Sequence, residues 1–247
     1  MRVLVTGGTG YVGSHTVAAL VEGGHEVRLL VRDPRRVTAA LTPLGLQAGD
    51  LDTIMGDVTD PAAVDRAVRD CGAVVHAGSV YSLDSRDARR IRQVNVRGTD
   101  LVLGAAHRAG LDPIVYVSST AALLRPNGRT LTPDSPVGHP PGPYLGAKAE
   151  AERVARRYQE AGAPVVITYP GGCLGPHDPH LGPGSGRRAT SSRAATRSAR
   201  LAGFRLSMCA MWPRSMPRSW RPAAGLGATW PAAPSWASPI SSRGSRR

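Results

Sequence analysis

Short apolar runs alternate with longer segments of helical periodicity through the first 182 residues of the chain. Six runs are predicted to be strands: Arg2–Thr6, Glu26–Val31, Thr53–Met55, Ala73–His76, Ile114–Ser118 and Val165–Tyr169. Apolar residues at helical spacing predict four helices between them: Tyr11–Glu22, Pro61–Asp70, Ala88–Ala109 and Tyr144–Ala161. Strands that alternate with helices are typical of parallel βαβ units, and nearly continuous apolar strands fit a sheet covered on both faces. The pattern therefore predicts an α/β domain with a doubly wound parallel sheet.

The alternation stops near Gly182, and the remaining residues are rich in Arg, Ser, Ala, Pro and Gly. Recurring prolines there exclude a long helix or a central strand. We expect a folded domain over residues 1–182 and a tail over residues 183–247 that is truncated or disordered in character. Back-translated with GC-rich codons and read in a displaced frame, Ser207–Trp220 gives DVRDVAAVHAAVL, which has helical spacing. We therefore hypothesise that the chain after about residue 182 is a frameshifted translation.

The formal net charge of +13 belongs to the tail. Residues 1–182 hold 19 basic and 18 acidic residues, whereas residues 183–247 hold 12 arginines and no acid. A genuine Arg-rich arm that binds nucleic-acid phosphates is thus the alternative to the frameshift, and no specific nucleic-acid partner is expected. A soluble, cytoplasmic protein is predicted from three features of the sequence. The three cysteines are scattered, no apolar leader is seen, and no apolar run is long enough to span a bilayer.

The first predicted strand runs into a glycine turn, Thr6-Gly7-Gly8-Thr9-Gly10-Tyr11-Val12-Gly13, and a helix follows at once. Glycines let the backbone turn sharply and come close to a ligand, and a helix start offers free N–H groups to a phosphate. At the start of a βαβ unit, this pattern indicates a dinucleotide site in a Rossmann-like domain.

Two further groups of residues point to chemistry beyond binding. Tyr144 and Lys148 are four residues apart on a predicted helix, so that they share one face. A nearby ammonium lowers the pKa of a phenol and makes proton exchange with a carbonyl or alcohol feasible. Ser118 and Ser119 end a strand at the carboxyl edge of the sheet, where a hydroxyl is able to donate to a substrate oxygen.

Together these segments resemble the extended short-chain dehydrogenase/reductase superfamily, in its branch of epimerase/dehydratase-like proteins. The resemblance covers residues 1 to about 182. Within the branch, the chain looks most like dihydroflavonol-reductase-type members, because of the segments Val31-Arg32-Asp33-Pro34 and Val80-Tyr81. Its other matching segments are the glycine turn, Gly56-Asp57-Val58, His76-Ala77-Gly78, Val94–Thr99, Ser118-Ser119, Tyr144 with Lys148, and Pro170–Pro176.

The resemblance implies a role for each matching residue. Tyr144 is implied to be the general acid/base, with Lys148 holding the nicotinamide ribose and lowering the pKa of the tyrosine. Ser119, with Ser118 or Thr120 as alternatives, is implied to orient and polarise the substrate carbonyl, and Asn95 to help a proton-relay water. The cofactor is implied to contact Gly7, Gly10, Tyr11, Val12, Gly13, Arg36, Asp57, Val58, Ala77, Gly78, Tyr144, Lys148 and Pro170.

Charge at the end of the second strand favours NADP over NAD. NAD-specific sites place a carboxylate there to accept from the ribose 2′-OH. This chain has Arg32 there, with Arg35 and Arg36 just beyond, and a guanidinium pairs well with a 2′-phosphate. A solvated helix start is the alternative interpretation of these arginines.

The sequence thus predicts an NADP-dependent oxidoreductase that reduces a carbonyl of a small molecule or oxidises a secondary alcohol. A nucleotide-sugar epimerase or dehydratase with retained NAD is the alternative, and a non-catalytic NADP-binding protein is another. The segment after Pro176 supplies much of the substrate pocket in the branch that the chain resembles. The identity of the substrate and the activity of a chain with this tail therefore stay open. A homodimer is also left open.

Overall fold

Six parallel strands form one sheet. The structure is a computed structural model that describes residues 1–124, 131–132, 134–173 and 176–179. The strands are β1 Arg2–Thr6, β2 Glu26–Val31, β3 Asp52–Met55, β4 Ala73–His76, β5 Ile114–Val117 and β6 Val165–Thr168. All six predicted strands are confirmed, within one residue at each end.

The order of the strands across the sheet is β3-β2-β1-β4-β5-β6. The chain runs outward from β1 to β3, returns to β4 beside β1, and runs outward again on the other side. Thr6 pairs with Leu30 on one side and with His76 on the other. Ligands of open parallel sheets bind beyond the carboxyl ends of the strands where the order reverses, which here lies between β1 and β4. The predicted Rossmann-like fold is confirmed.

Helices connect the strands and cover the sheet. They are α1 Tyr11–Glu22, α2 Arg35–Leu41, α3 Pro61–Val68, α4 Ala88–Arg92, α5 Gly98–Arg108 and α6 Pro143–Glu160. Proline at the first helical position starts both α3 and α6, and the Asp60 carboxylate caps α3 by accepting from the Ala62 N–H.

Two helical predictions are corrected. The single helix expected over Ala88–Ala109 is divided by a π-helical turn, Gln93–Arg97. The hydroxyl of Thr99, at the start of α5, donates to the carbonyl of Asn95 in this turn at 2.6 Å. Helix α2 was absent from the prediction because its seven residues are too short to establish a helical period.

The core lies between the sheet and helices α3, α5 and α6, and it includes Leu4, Val74, Val102, Ile114 and Ala151. The predicted tail, its frameshift and its alternative as an Arg-rich arm fall on residues 183–247, outside the described residues. In the described part of the chain, no helix has both the length and the apolar character needed to cross a membrane.

Candidate active site

The glycine turn fits closely against the carboxyl ends of β1 and β4. Gly7 has a φ of 74°, and a Cβ added to it would lie 2.6 Å from the Gly78 nitrogen and 2.7 Å from the Ala77 carbonyl oxygen. A Cβ on Gly13 would lie 2.0 Å from the Gly7 oxygen. Gly7 and Gly13 are therefore glycines because backbone approaches them, whereas Gly10 meets only one atom, at 3.3 Å.

Helix α1 begins in this turn at Tyr11 and Val12, directly after Gly10. The Gly10 N–H bonds to the Gly7 carbonyl at 2.9 Å, and no side chain caps the helix. The first turn also holds no acidic residue. The helix dipole and uncapped N–H groups at such a start suit an anionic ligand.

The end of β2 carries charged groups that are largely paired. Arg32 Nη1 lies 3.9 Å from Asp57 Oδ2. Asp33 accepts from Arg35 at both carboxylate oxygens, at 2.9 and 3.0 Å, and these bonds lower the pKa of Asp33. Arg36 is exposed. The carboxylate nearest the end of β2 is thus already engaged, while the Arg32 side chain stays 53% exposed.

Asp57 and Val58 lie beyond the end of β3. Asp57 Oδ1 accepts from the backbone N–H and the hydroxyl of Thr59, at 2.9 and 2.8 Å, which fixes this turn. The Val58 side chain faces Gly98 of α5 so closely that a Cβ there would lie 2.9 Å from it. The two residues are placed by local bonds and packing at the same edge of the sheet as Arg32.

Tyr144 and Lys148 stand one turn apart on α6, as predicted. Tyr144 is half-buried, and its ring packs edge-on against Tyr81 with 4.8 Å between centroids. Lys148 is buried, and its Nζ donates to the Val117 carbonyl at 3.0 Å and to the Tyr116 hydroxyl at 3.4 Å. The ammonium is therefore fixed to the end of β5.

The predicted lowering of the Tyr144 pKa is not seen. Burial raises the pKa of Tyr144, and Tyr81 and Cys173 add to the rise. Burial also lowers the pKa of Lys148 to about 8. The structure thus holds Tyr144 as a neutral phenol at neutral pH, because its hydroxyl is desolvated and Lys148 is bonded elsewhere.

The hydroxyls after β5 differ in what they contact. The Ser119 hydroxyl accepts from the Ala121 N–H at 3.2 Å and donates to the Pro170 carbonyl at 3.4 Å. It caps the short 3₁₀ turn Thr120–Leu123, and that turn packs against α6. Ser118 is 3% exposed, and its Oγ has no hydrogen-bond partner among the described residues. Ser119 is thus held at the cleft by a weak bond to Pro170, whereas Ser118 points inward.

Asn95 lies buried in the π-helical turn. Its amide accepts from the Val80 N–H at 2.7 Å and donates to the Val80 carbonyl at 3.0 Å. Both sides of the amide are therefore used to hold the segment that carries Tyr81. Its predicted part in a water relay remains a prediction.

The segment that begins at Pro170 approaches the glycine turn. The Pro170 carbonyl accepts from the Thr120 N–H at 3.1 Å. Farther on, the His15 ring lies 3.2 Å from the Pro176 carbonyl oxygen. Cys173 raises the pKa of both Tyr11 and Tyr144, after the larger effect of burial. One segment therefore faces both the α1 start and the candidate acid.

Sequence reasoning missed the buried polar groups behind the site. His76 contacts Thr6 Oγ1 at 2.6 Å and Thr99 Oγ1 at 3.1 Å, and burial lowers its pKa to about 3. Glu152, four residues after Lys148, is fully buried. One signal was available for Glu152, because a glutamate four residues after Lys148 shares its face of the predicted helix.

These features fit a dinucleotide. Phosphates require hydrogen-bond donors, and two features provide them: the uncapped start of α1 and the exposed Arg32 guanidinium at the end of β2. Gly10 leaves the surface of the turn open beside the helix start. In the part of the chain that the structure describes, no group of three or more His, Cys, Asp or Glu side chains is placed to hold a metal ion.

Comparison with known proteins agrees with this geometry. Residues 3–211 match the model of the NAD dependent epimerase/dehydratase family, which extends past residue 182, where the sequence predicts the resemblance to end. The protein named "Putative dihydroflavonol 4-reductase" from Synechocystis sp. is 35% identical over 177 residues, 70% of this chain and 50% of the relative. The dTDP-D-glucose 4,6-dehydratase of Mus musculus is 32% identical over 183 residues, 71% of this chain and 51% of the relative.

A solved structure is similar as well. The dTDP-glucose 4,6-dehydratase from Streptomyces venezuelae, with NAD and TYD bound, has a TM-score of 0.61 and 31% identity, covering 72% of this chain and 58% of that one. The present chain spans about half the length of the curated relatives it matches.

Proposed function

Because the chain belongs to the NAD-dependent epimerase/dehydratase family, we propose that it uses NADP to reduce a carbonyl of a small molecule, or to oxidise the corresponding secondary alcohol. The observation that carries the proposal is the placement of Tyr144 and Lys148 on one face of α6, beside the 3₁₀ turn capped by Ser119. A bound nicotinamide dinucleotide would supply or accept the hydride. The residues of the chain hold and move the proton.

Tyr144 is the proton donor in the direction of reduction. Its raised pKa keeps the hydroxyl protonated at neutral pH, so the phenol is able to donate to a carbonyl oxygen as negative charge develops there. Ser119 donates to the same oxygen by releasing Pro170, since that bond, at 3.4 Å, is long. Lys148 bonds to Val117 and Tyr116, and its remaining N–H would hold a hydroxyl of the bound nucleotide.

The Tyr144→Phe variant tests this assignment. We expect a loss of turnover of about 10² to 10⁴-fold, the usual contribution of a positioned general acid, with the dissociation constant of NADPH nearly unchanged. Tyr158→Phe is the matched control, because that hydroxyl lies near the other end of α6 and bonds to Asp100 of α5. Equal turnover of the Tyr144→Phe variant and the parent chain would reject Tyr144 as the acid.

The preference for NADP rests on Arg32 and on the engagement of Asp33. Asp33 is bonded to Arg35 at both oxygens, so the 2′-OH of NAD would share that carboxylate with a guanidinium, whereas Arg32 is exposed for a 2′-phosphate. Arg32→Asp is expected to reverse the ratio of NADPH to NADH affinities. The exposed Arg66 of α3 provides the control, Arg66→Asp, and an unchanged ratio in Arg32→Asp contradicts the assignment.

An epimerase or dehydratase with retained NAD is the second candidate. It is supported by the similarity to dTDP-glucose 4,6-dehydratases, one of which is described with NAD bound. Denaturing the purified chain and identifying the released nucleotide separates the two candidates. Bound NAD favours the second candidate, and a chain that is empty until NADPH is added favours the first.

A further inference from the structure

Glu152 of α6 is a fully buried carboxylate behind the candidate active site. Its Oε1 accepts from the Tyr169 hydroxyl at 2.5 Å and from Arg156 Nε at 2.9 Å. Its Oε2 has no hydrogen-bond partner among the described residues. A buried carboxylate that is only half satisfied costs several kcal/mol of folding free energy, so pairing with Arg156 alone does not explain why an acid occupies this position.

Besides Arg156, Lys148 is a second cation that gains from this charge. Residues four apart on a helix are neighbours, so Glu152 lies one turn from Lys148 on the same face of α6. Lys148 is 4% exposed, and among the described residues its ammonium bonds to two neutral acceptors, the Val117 carbonyl and the Tyr116 hydroxyl. Burial lowers the pKa of Lys148 to about 8, and Glu152 opposes that effect.

Apart from Arg156, a cation that pairs with Glu152 at 2.9 Å, the titratable groups that face Glu152 and Lys148 carry no charge at neutral pH. Burial lowers the pKa of His76, on β4, to about 3, so its ring is neutral. Burial raises the pKa of Tyr116 on β5, of Tyr169 after β6 and of Tyr144 on α6, so all three remain phenols. Among the described groups around Lys148, the negative charge comes from Glu152.

Two charged groups on the helices packed against α6 have partners on that helix. Arg92 of α4 binds Glu150 at 3.1 Å, and their side chains are 72% and 38% exposed. Asp100 of α5 accepts from the Tyr158 hydroxyl at 3.1 Å. Solvent screens these exposed groups, whereas the interaction between Glu152 and Lys148 acts through the protein interior.

We propose that Glu152 is a positioning residue that keeps Lys148 an ammonium at neutral pH. The inference rests on the proposed function in one respect, that the charge of Lys148 matters for holding a nicotinamide nucleotide. Without Glu152, desolvation acts on Lys148 unopposed and favours the neutral amine. A neutral amine donates weaker hydrogen bonds to a ligand oxygen than an ammonium does.

Lys148 is the single lysine of the 247 residues, so the full chain labelled with ¹³C in the lysine side chain gives one resonance that reports on this ammonium. In Glu152→Gln, the midpoint of its titration is expected to move about one to three pH units lower than in the parent chain, the usual effect of one opposite charge at close range. Glu150→Gln is the matched control, because that exposed carboxylate is paired with Arg92 and its removal leaves the midpoint unchanged.

An unchanged midpoint in Glu152→Gln overturns the proposal. If circular dichroism finds that this variant does not fold, the double variant Glu152→Gln/Arg156→Leu removes the buried pair as a unit, which proteins often tolerate. Its midpoint is compared with that of Arg156→Leu, so that the two chains differ only in the charge of residue 152. A lower midpoint in the double variant is expected, and equal midpoints overturn the proposal.

NADPH binding, followed by fluorescence against pH, provides the second readout. Affinity is expected to fall as Lys148 loses its proton, and this fall should occur at lower pH in Glu152→Gln than in the parent chain. A titration that shifts without a matching shift in binding overturns the positioning role. A parent chain that binds no nicotinamide nucleotide at any pH rejects the proposed function instead, and leaves the ¹³C titration as an independent measure of the electrostatic effect.

Discussion

Gly13→Ala is expected to destabilise the chain through a backbone collision inside the glycine turn. The added Cβ would lie 2.0 Å from the Gly7 carbonyl oxygen, 2.7 Å from its carbonyl carbon and 3.0 Å from the Gly8 Cα. Gly7 has no room to retreat, because it is itself packed against the Ala77–Gly78 backbone. The start of α1 must therefore move away from β1.

The size of the effect follows from these distances. Carbon atoms in contact prefer about 3.5 to 4.0 Å, so the clash requires a backbone shift of more than about 1 Å. Overpacking of this kind costs about 3 kcal/mol, and the better helix propensity of alanine returns about 1 kcal/mol. A net loss of about 2 kcal/mol lowers the melting temperature of a domain of this size by about 4 to 8 °C.

Thermal unfolding followed by circular dichroism measures this loss, with Gly10→Ala as the control. A Cβ on Gly10 meets only the Gly7 oxygen, at 3.3 Å, so that variant is expected to melt within about 2 °C of the parent chain, because the helix start need not move. In the proposed function, Gly10→Ala instead weakens NADPH binding, since the methyl group stands where the phosphates approach. Equal melting temperatures for Gly13→Ala and the parent chain would refute the reasoning.

Three further outcomes are expected. The pKa of His76 is lowered to about 3, so the stability that its neutral ring provides is present above pH 6.5 and is lost as the pH falls toward 3, by about 1.4 kcal/mol per pH unit. Urea unfolding at several pH values measures this slope, and the His76→Asn variant should lack it. Arg28→Ala removes bonds to Asp52 at 2.6 Å and to the Arg69 carbonyl at 2.5 Å, and it should cost about 2 to 3 kcal/mol in urea unfolding. Arg2→Ala, whose ion pair is with the exposed Glu26, should cost less than about 1 kcal/mol, and equal losses contradict this. Tyr81 is 71% exposed, and its ring packs against that of Tyr144. The Tyr81→Ala variant should therefore have a higher KM for apolar carbonyl substrates and the same affinity for NADPH, and an unchanged KM argues against a substrate contact.

The four inner strands of the sheet, β1, β2, β4 and β5, were predictable because they are buried almost throughout and therefore appear as apolar runs, whereas the edge strands β3 and β6 are less buried. The π-helical turn was not predictable. Its apolar pattern continues that of a helix, and what interrupts the helix is a set of tertiary and local bonds, from Asn95 to Val80 and from Thr99 to Asn95. Periodicity records which side of a segment is apolar, and it carries no information about the partner of a single buried amide.

The candidate site was predictable where spacing alone fixes geometry. Four residues along a helix place Tyr144 and Lys148 on one face, and a glycine turn before a helix needs no distant contact to form. The protonation states depended on contacts that spacing does not specify. Lys148 was expected to act on Tyr144, yet its Nζ bonds to Val117 and Tyr116, residues more than thirty positions away that reach it only through the sheet.

The four-residue spacing also explains why three groups on α6 have different surroundings. A helix turns about 100° per residue, so each step of four advances the side chain by about 40° beyond a full turn. From Tyr144 to Lys148 to Glu152 the direction therefore rotates by about 80°, from the cleft toward the interior. Burial increases in that order, from the half-buried phenol to the fully buried carboxylate. A proton donor open to substrate and a desolvated counter-charge follow from one helical register, and inserting a single residue between Lys148 and Glu152 would turn the carboxylate away and remove its effect on the lysine.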